Sequence, residues 1–418
     1  MPKETKDVKE KPTIKKSALA PTILVSGGAG FIGSHLIEAL LLKDAKVVVI
    51  DNFSTGKRAY LSAVLDNPRF TLIESDINDG VPKNIEAVDY IFHLAGLESY
   101  IYGEKTVNLD SLLTNAVGTK NLLDLAKKAS AKFLLVSSTD VYEGLVSSFD
   151  INHYFGKTDL DEKKYSHAEA KRYAEALTWE YYKKHKINAR IVRLPEVYGP
   201  RMDFTSGGEL GRLLKLVLDE KDLLVFGDGL EKSYFLHVAD SVSGLVKAEF
   251  GDSTDGKIFT LAGNEPITTL ELTYLLKGLS NRETEVQFKS SNQSMKPKDV
   301  RPSDISDSSK ELRWSPKVEL KEGIIKTLKW YNYEFNNNYF KPAKHIQEKK
   351  DERKANDRGN NLTEITSLKK EPEAENQKIQ EPKTAFQFNP FKMLELKKEP
   401  QPVFPAVIKT QENAPIAT

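Results

Sequence analysis

A glycine-rich loop between a short apolar strand and a helix most strongly limits what this chain can fold into. The run Gly27–Gly33 reads Gly-Gly-Ala-Gly-Phe-Ile-Gly and follows the β-branched segment Thr22–Ser26. Gly27 permits a tight turn, Gly30 lets the backbone approach a phosphate, and Gly33 lets the helix pack closely on the strand. Because a helix that begins there presents unpaired N–H groups and a positive dipole end, the pattern predicts a binding site for a pyrophosphate.

An acidic residue at the end of the next predicted strand extends this motif. Asp51 follows Val47–Ile50 and lies 18 residues after Gly33. A carboxylate at this place can accept hydrogen bonds from both hydroxyls of a ribose and would repel a 2′-phosphate, so NAD is favoured over NADP. Lys57 and Arg58 follow closely and weaken that preference.

Strand-like and helix-like segments alternate through the first half of the chain, which predicts βαβ units and a doubly wound parallel sheet of the Rossmann type. The predicted strands are Thr22–Ser26, Lys46–Ile50, Phe70–Glu74, Tyr90–Leu94, Lys132–Ser137 and Arg190–Leu194. The predicted helices between them are Phe31–Leu42, Val107–Ala129 and Ala168–His185. After Gly199 the alternation loosens, and helices at 208–220, 241–250 and 268–279 with a strand at Leu223–Phe226 indicate a smaller α/β lobe.

Both ends of the chain differ from this core, so we predict disordered tails at 1–20 and 339–418 around one folded region at 21–338. Residues 340–418 hold 8 of the 19 prolines but only one of the 24 glycines, and no amphipathic period persists. The sequence Leu-Lys-Lys-Glu-Pro occurs there twice, at Leu368–Pro372 and Leu396–Pro400, near several phenylalanines. Chance repetition in a solvated tail and a pair of docking motifs for a protein partner both remain open.

Composition excludes several other classes of protein. The chain has 418 residues, a formal charge of +1 and no cysteine, so thiol catalysis and thiolate metal sites are excluded. The near-neutral charge gives no general attraction to nucleic acid or to acidic membranes. No apolar run approaches the roughly 18 residues of a membrane span, and the first twenty residues lack the apolar core of a signal peptide. We therefore expect a cytoplasmic protein with no membrane or nucleic-acid partner.

Six segments together resemble the extended short-chain dehydrogenase/reductase family. They are Gly27–Gly33, Asp51–Gly56, His93–Ala95, Ser137–Tyr142, Ala170–Glu175 and Tyr198–Met202. The resemblance runs from about Pro21 to Tyr333 and is strongest to the nucleotide-sugar branch, within it to the UDP-glucuronate decarboxylases. It implies an NAD-binding domain, a C-terminal substrate lobe from about residue 200, a UDP-sugar substrate and a homodimer paired through two helices.

The resemblance also implies a reaction and a set of cofactor residues. In this family NAD takes a hydride from a sugar carbon, usually C4, while a tyrosine accepts the hydroxyl proton and a lysine four residues later holds the nicotinamide ribose. The keto-sugar then decarboxylates, loses water or is reduced on its other face. The implied cofactor-binding residues are Gly27, Gly30, Phe31, Ile32, Gly33, Asp51, Asn52, Ser54, Thr55, Gly56, Asp76, Ile77, Leu94, Ala95 and Lys171.

The implied catalytic residues match the family only in part. Ser138 stands at the positioning hydroxyl, while Thr139 and Asp140 replace the serine and glutamate of the decarboxylase branch. Lys171 matches the family lysine, but His167 stands four residues before it, where the family has tyrosine. The spacing places both on one helix face.

Three interpretations of His167 remain open. An imidazole has an ordinary pKa of about 6.5, nearer neutrality than a phenol, so His167 can serve as the base. Alternatively the position has lost its chemistry, or Tyr165 replaces the phenol if the helix begins after it or the chain bulges there.

The substrate positions implied by the resemblance also differ. Arg201 and Arg301 match family arginines, and Arg301 corresponds to one near the sugar carboxylate. Glu196 replaces an expected asparagine, and Ser233 replaces an arginine that holds the nucleotide's diphosphate. A lost cation and an added carboxylate should weaken diphosphate binding.

The sequence therefore predicts an NAD-dependent nucleotide-sugar enzyme: a decarboxylase, an epimerase or a dehydratase. The alternative is a catalytically impaired NAD-binding scaffold or sensor of the same fold. No pair of histidines has metal-ligand spacing, so no metal site is predicted. His93, at a strand end, is interpreted as a packing residue.

Overall fold

A central sheet of buried strands organises the computed structural model, which describes residues 20–85, 87–96, 109–142, 165–204, 208–280, 283–290 and 302–334. The strands are β1 (Thr22–Ser26), β2 (Lys46–Asp51), β3 (Phe70–Glu74), β4 (Tyr90–His93), β5 (Lys132–Ser138), β6 (Ala189–Leu194), β7 (Glu196–Tyr198), β8 (Leu223–Phe226), β9 (Lys232–Ser233), β10 (Phe235–His237), β11 (Ile258–Thr260), β12 (Ile267–Thr268) and β13 (Val286–Lys289). The helices are α1 (Phe31–Leu41), α2 (Leu109–Leu113), α3 (Thr119–Ala129), α4 (Tyr165–His185), α5 (Glu209–Leu218), α6 (Val238–Phe250), α7 (Thr269–Leu279), α8 (Pro302–Leu312) and α9 (Leu320–Glu334).

Seven of these strands form one parallel sheet in the order β11-β6-β5-β4-β1-β2-β3. Runs of valine, isoleucine and leucine are buried on both faces, as expected for a parallel sheet covered by helices. The strand order reverses between β1 and β4, and ligands of such sheets bind at the carboxyl ends of the strands at this point. The predicted α/β architecture is confirmed.

Register brings the predicted site residues to one end of the sheet. Ser26 of β1 pairs with Ile50 of β2 and with His93 of β4, so the segments that follow these strands emerge side by side. In β5, Ser138 pairs with Leu194 of β6 and extends beyond the end of β4.

The polypeptide after residue 200 forms two parts, one with its own apolar core and one that packs on the first domain. One part, built from α5, α7, α9 and the β8–β13 pair, has its own apolar cluster around Leu213, Leu214, Leu272, Leu276 and Ile324. The other part returns to the first domain, where α6 packs on α1 and β11 adds a parallel strand beside β6. The predicted lobe is therefore interrupted by a return to the central sheet.

The predicted helix over Val107–Ala129 is described from Leu109 and contains a π turn at Thr114–Gly118 between α2 and α3. Gly118 lies against Ile77, since a Cβ on this glycine would lie 2.6 Å from the Ile77 Cδ1 atom. A π turn often marks a functional site, and this one buries Asn115.

Candidate active site

The loop after β1 is shaped by glycines whose side-chain positions are filled by backbone. Gly27 has φ +73°, and a Cβ there would lie 2.7 Å from the Ala95 nitrogen. A Cβ on Gly33 would lie 2.3 Å from the Gly27 carbonyl oxygen. A Cβ on Gly30 meets only that same oxygen, at 3.2 Å, so its other side is open. The loop thus leaves an open, side-chain-free surface at the N-terminus of α1, which begins with Phe31 and Ile32.

Asp51 at the end of β2 ties the glycine loop to the next connection. Its Oδ2 atom accepts a hydrogen bond from the Ala29 N–H at 2.8 Å, and its Oδ1 atom accepts one from the Phe53 N–H at 2.8 Å. Burial raises the pKa of Asp51, while these two N–H groups act in the opposite direction. Each carboxylate oxygen keeps a second lone pair with which it can accept a bond from a ribose hydroxyl.

The connection after β2 holds the next predicted cofactor residues on an exposed turn. The Asn52 Nδ2 atom donates to Asp76 Oδ2 at 2.9 Å, and the Ser54 N–H donates to Asn52 Oδ1 at 3.0 Å. Thr55 is exposed, and Gly56 lies close to both Ala29 and Asp51.

The cation Arg58 in this connection is already engaged. It pairs with Glu74 and lies 4.6 Å from the ring of Phe53. Both partners of this ion pair are exposed, so it opposes a contact with a 2′-phosphate only weakly.

Asp76 and Ile77 begin a short turn after β3. Asp76 Oδ1 accepts a hydrogen bond from the Asn78 N–H at 2.8 Å, and Ile77 is buried beneath it. Asp76 therefore caps this turn, and Ile77 anchors it by packing in the core.

Leu94 and Ala95 follow β4 and pass directly beneath the glycine loop. The Leu94 N–H donates to the Ser26 carbonyl at 3.1 Å. The next residue, Gly96, lies beside the buried Lys171, since a Cβ there would be 2.9 Å from the Lys171 Nζ atom. Lys171 Nζ also donates to the Val136 carbonyl at 3.2 Å. The family lysine is thus brought to the loops that follow β1 and β4.

Asn115 is a residue of this region that the sequence analysis missed. A Cβ on Gly96 would lie 3.5 Å from both its Oδ1 and its Nδ2 atoms. The Nδ2 atom donates to the Ser111 carbonyl at 2.8 Å, whereas the fully buried Oδ1 atom has no hydrogen-bond partner among the described residues. The π turn that places Asn115 here is not visible in the hydrophobic pattern, so no sequence signal identified it.

His93 at the end of β4 is buried and bonded on both ring nitrogens. Nδ1 lies 2.8 Å from Ser26 Oγ, and Nε2 lies 2.9 Å from Thr119 Oγ1. Burial, with a smaller effect of the Lys171 charge, lowers its pKa to about 3. These bonds make His93 a neutral packing residue.

The end of β5 and the start of α4 bring the predicted catalytic residues together. Asp140, in the 3₁₀ turn Thr139–Tyr142, lies with its Oδ2 atom 3.8 Å from the Nε2 atom of His167, and both side chains are less than 15% exposed. Ser138 Oγ accepts a hydrogen bond from the Asp140 N–H at 3.1 Å, which leaves the hydroxyl hydrogen able to donate. Thr139 is buried. A carboxylate so near favours the protonated imidazole, and Lys171 one turn further along opposes it.

Two predicted residues lie at the edges of the described part of the structure. Tyr165 is the first residue of α4, so the helix begins at Tyr165 and not after it, and its side chain is outside the described part. Arg301 lies outside the described residues, one residue before α8.

Glu196 lies against the N-terminus of α5. Its Oε1 atom accepts hydrogen bonds from the Leu210 N–H at 3.1 Å and the Gly211 N–H at 3.3 Å. A Cβ on Gly208 would lie 2.3 Å from its Oε2 atom. Glu196 thus places a negative charge at the positive end of the helix dipole, where an anionic ligand would otherwise be attracted.

Arg201 contacts the first domain. Its Nη2 atom forms an ion pair with Glu38 Oε1 at 2.6 Å, and its Nη1 atom donates to Ser34 Oγ at 3.2 Å, both on α1. Two nitrogen atoms of Arg201 are thus engaged by α1, and its predicted substrate contact stays a prediction. Ser233 lies in β9 and pairs with Ile267 of β12.

Other kinds of site are not found in the part of the chain that the structure describes. It holds no group of three or more histidine, aspartate or glutamate side chains arranged for a metal ion. Within the same residues, no helix is both long and apolar enough to cross a membrane.

The fold and the site define a class of protein. A doubly wound parallel sheet, a side-chain-free loop before α1 and an acid at the end of β2 fit the pyrophosphate and ribose of NAD. Comparison with known proteins agrees: residues 23–260 match the model of the NAD dependent epimerase/dehydratase family. The chain belongs to this family, and the predicted family, its NAD cofactor and its enzyme class are confirmed at that level.

Three similar proteins illustrate the relation. The UDP-glucuronic acid decarboxylase 1 of Arabidopsis thaliana is 34% identical over 72% of this chain, and the match spans 68% of that relative. The UDP-glucuronic acid decarboxylase 3 of the same plant is 36% identical over 72% of this chain and 86% of its own length. The structure of a UDP-glucuronic acid 4-epimerase from Bacillus cereus, in complex with UDP-glucuronic acid and NAD, is 29% identical with a TM-score of 0.64 and covers 75% of this chain and 99% of its own.

Proposed function

We propose that this protein is an NAD-dependent nucleotide-sugar enzyme that oxidises a UDP-hexuronic acid at C4, with decarboxylation as the favoured outcome. The observation that carries the proposal is the approach of Asp140 and His167 to 3.8 Å, with Lys171 on the next turn of the same helix. The decarboxylases among the relatives and the UDP-glucuronic acid bound by a similar structure support this class of substrate. Epimerisation and dehydration remain alternative outcomes of the same oxidation.

NAD would be held by the chain's own loops. The glycine loop and the N-terminus of α1 fit its pyrophosphate, and Asp51 fits the adenosine ribose. Lys171 Nζ lies beside Gly96 in the loop after β4, at the carboxyl end of the sheet, and is proposed to bond the nicotinamide ribose there. Bound NAD supplies an acceptor for the C4 hydride and a donor when the product is reduced.

His167 is proposed to accept the proton of the sugar hydroxyl. An imidazole that takes up this proton becomes a cation, and Asp140 stabilises that charge. The hydroxyl of Ser138 orients the same sugar oxygen, and the positive charge of Lys171 favours the neutral imidazole that can accept a proton.

A hexuronic acid explains the outcome of the oxidation. A ketone at C4 lies β to the C6 carboxylate, so the bond from C5 to C6 can break with its electron pair moving toward the ketone oxygen. Carbon dioxide leaves, and C5 then takes a proton before reduction at C4. Arg301 remains a predicted partner of the carboxylate.

A second candidate is an NAD-binding protein that does not turn over a sugar. The favouring observation is Glu196, whose carboxylate occupies the N-terminus of α5 and would repel a diphosphate there. The shorter reach of His167 compared with a phenol points the same way.

Ligand binding and absorbance separate the two candidates. NAD should raise the melting temperature of the protein, and Gly30→Val should abolish this effect, since its side chain enters the open space over the loop. UDP-glucuronate added to the NAD complex should then change absorbance at 340 nm. If only the triple variant His167→Tyr, Glu196→Asn, Ser233→Arg responds, the second candidate is correct. If NAD never binds, both are wrong.

A homodimer is part of the proposal. Leu109, Leu113 and Val117 are 63%, 40% and 39% exposed, and they recur every four residues beside α4, where Tyr173 and Trp179 are also exposed. Burial of such a patch favours association. Light scattering should report a dimer that Leu113→Glu dissociates, while Leu230→Glu, at an exposed site elsewhere, does not. A monomeric unmutated protein would contradict this.

The remaining proposals concern the whole chain. A cytoplasmic location and a protein partner for residues 339–418 stay predictions. Cell fractionation tests the first, and a pull-down with these residues and with a form altered at both Leu-Lys-Lys-Glu-Pro repeats tests the second.

A further inference from the structure

A largely buried ion pair joins α4 to β6 one turn beyond Lys171. Arg193 Nη2 lies 2.6 Å from Glu175 Oε2, and Arg193 Nε donates to Glu175 Oε1 at 2.9 Å, so the contact is bidentate. Ser137 Oγ on β5 also donates to Glu175 Oε1, at 2.6 Å. Burial disfavours the charged guanidinium, but the hydrogen bond and charge of Glu175 outweigh it and raise the pKa of Arg193 above its ordinary value.

The same guanidinium reaches the turn that carries Asp140. Arg193 Nη1 donates to the hydroxyl of Tyr142 at 3.1 Å, and the guanidinium lies 5.0 Å from the centre of the Tyr142 ring. The Tyr142 hydroxyl lies 2.8 Å from Thr260 Oγ1 on β11. Either hydroxyl can be the donor in this second contact.

The contacts extend to α8, the helix that directly follows Arg301. The Thr260 N–H donates to Ser308 Oγ at 2.8 Å. The hydrogen-bonded chain therefore links α4, the 3₁₀ turn, β11 and α8, and a cavity of about 260 Å³ lies beside Tyr142, Arg193, Thr260 and Ser308.

The arrangement bears directly on the candidate catalytic pair. His167, Lys171 and Glu175 recur every four residues of α4 and share one face. Asp140 lies two residues before Tyr142 in the turn Thr139–Tyr142. One guanidinium thus holds both the helix that carries His167 and the turn that carries Asp140.

We propose that Arg193, together with Glu175 and Tyr142, positions the Asp140 carboxylate against the His167 imidazole. The catalytic part of this inference rests on the proposed function, whereas the positioning itself does not. Arg193 and Tyr142 are positioning residues, because they act through Asp140 and His167. A planar guanidinium with five donors suits this task, since it bonds a carboxylate and a phenol in fixed directions.

Other charges surround the pair. Among the described residues, the charged side chains on this part of α4 and on the adjoining ends of the elements packed against it include Asp110, Asp140, Glu169, Lys171, Arg172, Glu175 and Arg193. Glu169 forms an ion pair with Arg172. Arg172 Nε donates to the Val141 carbonyl at 3.1 Å. Loss of the Tyr142 hydroxyl should therefore loosen the turn without detaching it.

Tyr142→Phe tests the proposal because it removes one hydroxyl and leaves the buried ion pair intact. The matched control is Tyr181→Phe, which removes a hydroxyl that donates to Asp124 near the other end of α4. Histidine NMR, with His167→Gln to assign the signal, should show a lower titration midpoint for His167 in Tyr142→Phe. A lengthening of about 1 Å at an effective dielectric constant of about 20 corresponds to about 0.7 pH unit.

Activity gives a second measurement. If the proposed function holds, Tyr142→Phe should lower kcat about 10-fold and leave NAD affinity unchanged, and Tyr181→Phe should change neither. Glu175→Gln loosens the other side of Arg193 but also removes a negative charge, which by itself lowers the midpoint, so the isosteric and charge-neutral change Tyr142→Phe decides. An unchanged midpoint in folded Tyr142→Phe overturns the positioning role. A wild type without turnover counts against the proposed function alone, because the NMR comparison needs no activity.

Discussion

Three buried histidines give the protein a defined response to acid. Burial lowers the pKa of His35, His93 and His237 to about 3, far below the ordinary value near 6.5. Between these pH values the three histidines bind protons in the unfolded chain but stay neutral in the folded protein. The free energy of unfolding therefore falls as the pH falls below about 6.5. Glu249 acts in the opposite direction between about pH 4.5 and 7, because burial raises its pKa to about 7.

His237→Asn isolates one of these contributions. His237 Nδ1 accepts the Ala239 N–H and caps α6, a task that asparagine also performs. The loss of unfolding free energy between pH 7.5 and 5.5 should be about 1 kcal/mol smaller in this variant than in the wild type. Denaturant unfolding at the two pH values measures this difference. Equal losses in His237→Asn and in the wild type would contradict the buried neutral state of His237.

At the same scale, the sequence predicted the places of residues in the fold better than their contacts. Asp51 and Ser138 end the strands β2 and β5, and Lys171 lies on α4, as the pattern of strands and helices predicts, while their roles in the site stay predictions. Asn115 and the Arg193–Tyr142 contact depend on side chains far apart in sequence, and a single sequence does not reveal such pairs. The engagement of Arg201 by Glu38 was likewise invisible, because an ion pair across 163 residues follows only from the packing of α1 on the loop after β7.

At the scale of elements, glycines at two helices have opposite roles. Gly33 lies in the first turn of α1, where a Cβ would overlap the Gly27 carbonyl, whereas Gly278 in α7 has no atom within 4 Å of its Cβ position. Gly33→Ala should lower stability by about 1–3 kcal/mol and weaken NAD binding, because the backbone must shift. Gly278→Ala should raise stability by about 0.5–1 kcal/mol, because alanine favours the helix.

Thermal melting with and without NAD measures both changes. A Gly33→Ala protein as stable and as responsive to NAD as the wild type would show that the loop does not need the close contact of helix and strand.

Boundaries of elements were predictable where the apolar period was clear, as in α1 and α4. The π turn before α3 was not predictable. One extra residue in a single helical turn shifts the apolar positions too little to be detected in the sequence pattern. The strand β11 was also missed, because three residues carry too short a pattern to identify a strand.

At the scale of the whole molecule, the chain does not complete the central sheet before it forms the second lobe. The return of α6 and β11 to the central sheet links the two halves through parallel pairing with β6. Separate expression of residues after about 200 should therefore fail to give a folded domain. In that fragment β11 would lack its partner strand β6, and α6 would lack α1, on which it packs. A cooperative unfolding transition of the fragment, measured by circular dichroism, would contradict this.

Deletion of residues 341–418 tests the predicted boundary at the other end. The composition of this segment lacks the apolar residues needed for a core, so the shortened protein should keep its melting temperature and its NAD affinity. A melting temperature lower by several degrees would mean that the segment packs on the folded region.

The central claim is that an NAD enzyme of this family works here with a histidine at the position of the family's tyrosine. Release of ¹³CO₂ from UDP-glucuronate labelled at C6 measures this claim most directly, with NAD present and His167→Gln beside the wild type. The wild type should release labelled carbon dioxide and form a UDP-pentose, and His167→Gln should be slower by about 100-fold or more with unchanged NAD affinity. A wild type that binds NAD yet releases none, or a His167→Gln variant that matches the wild type, would contradict the account.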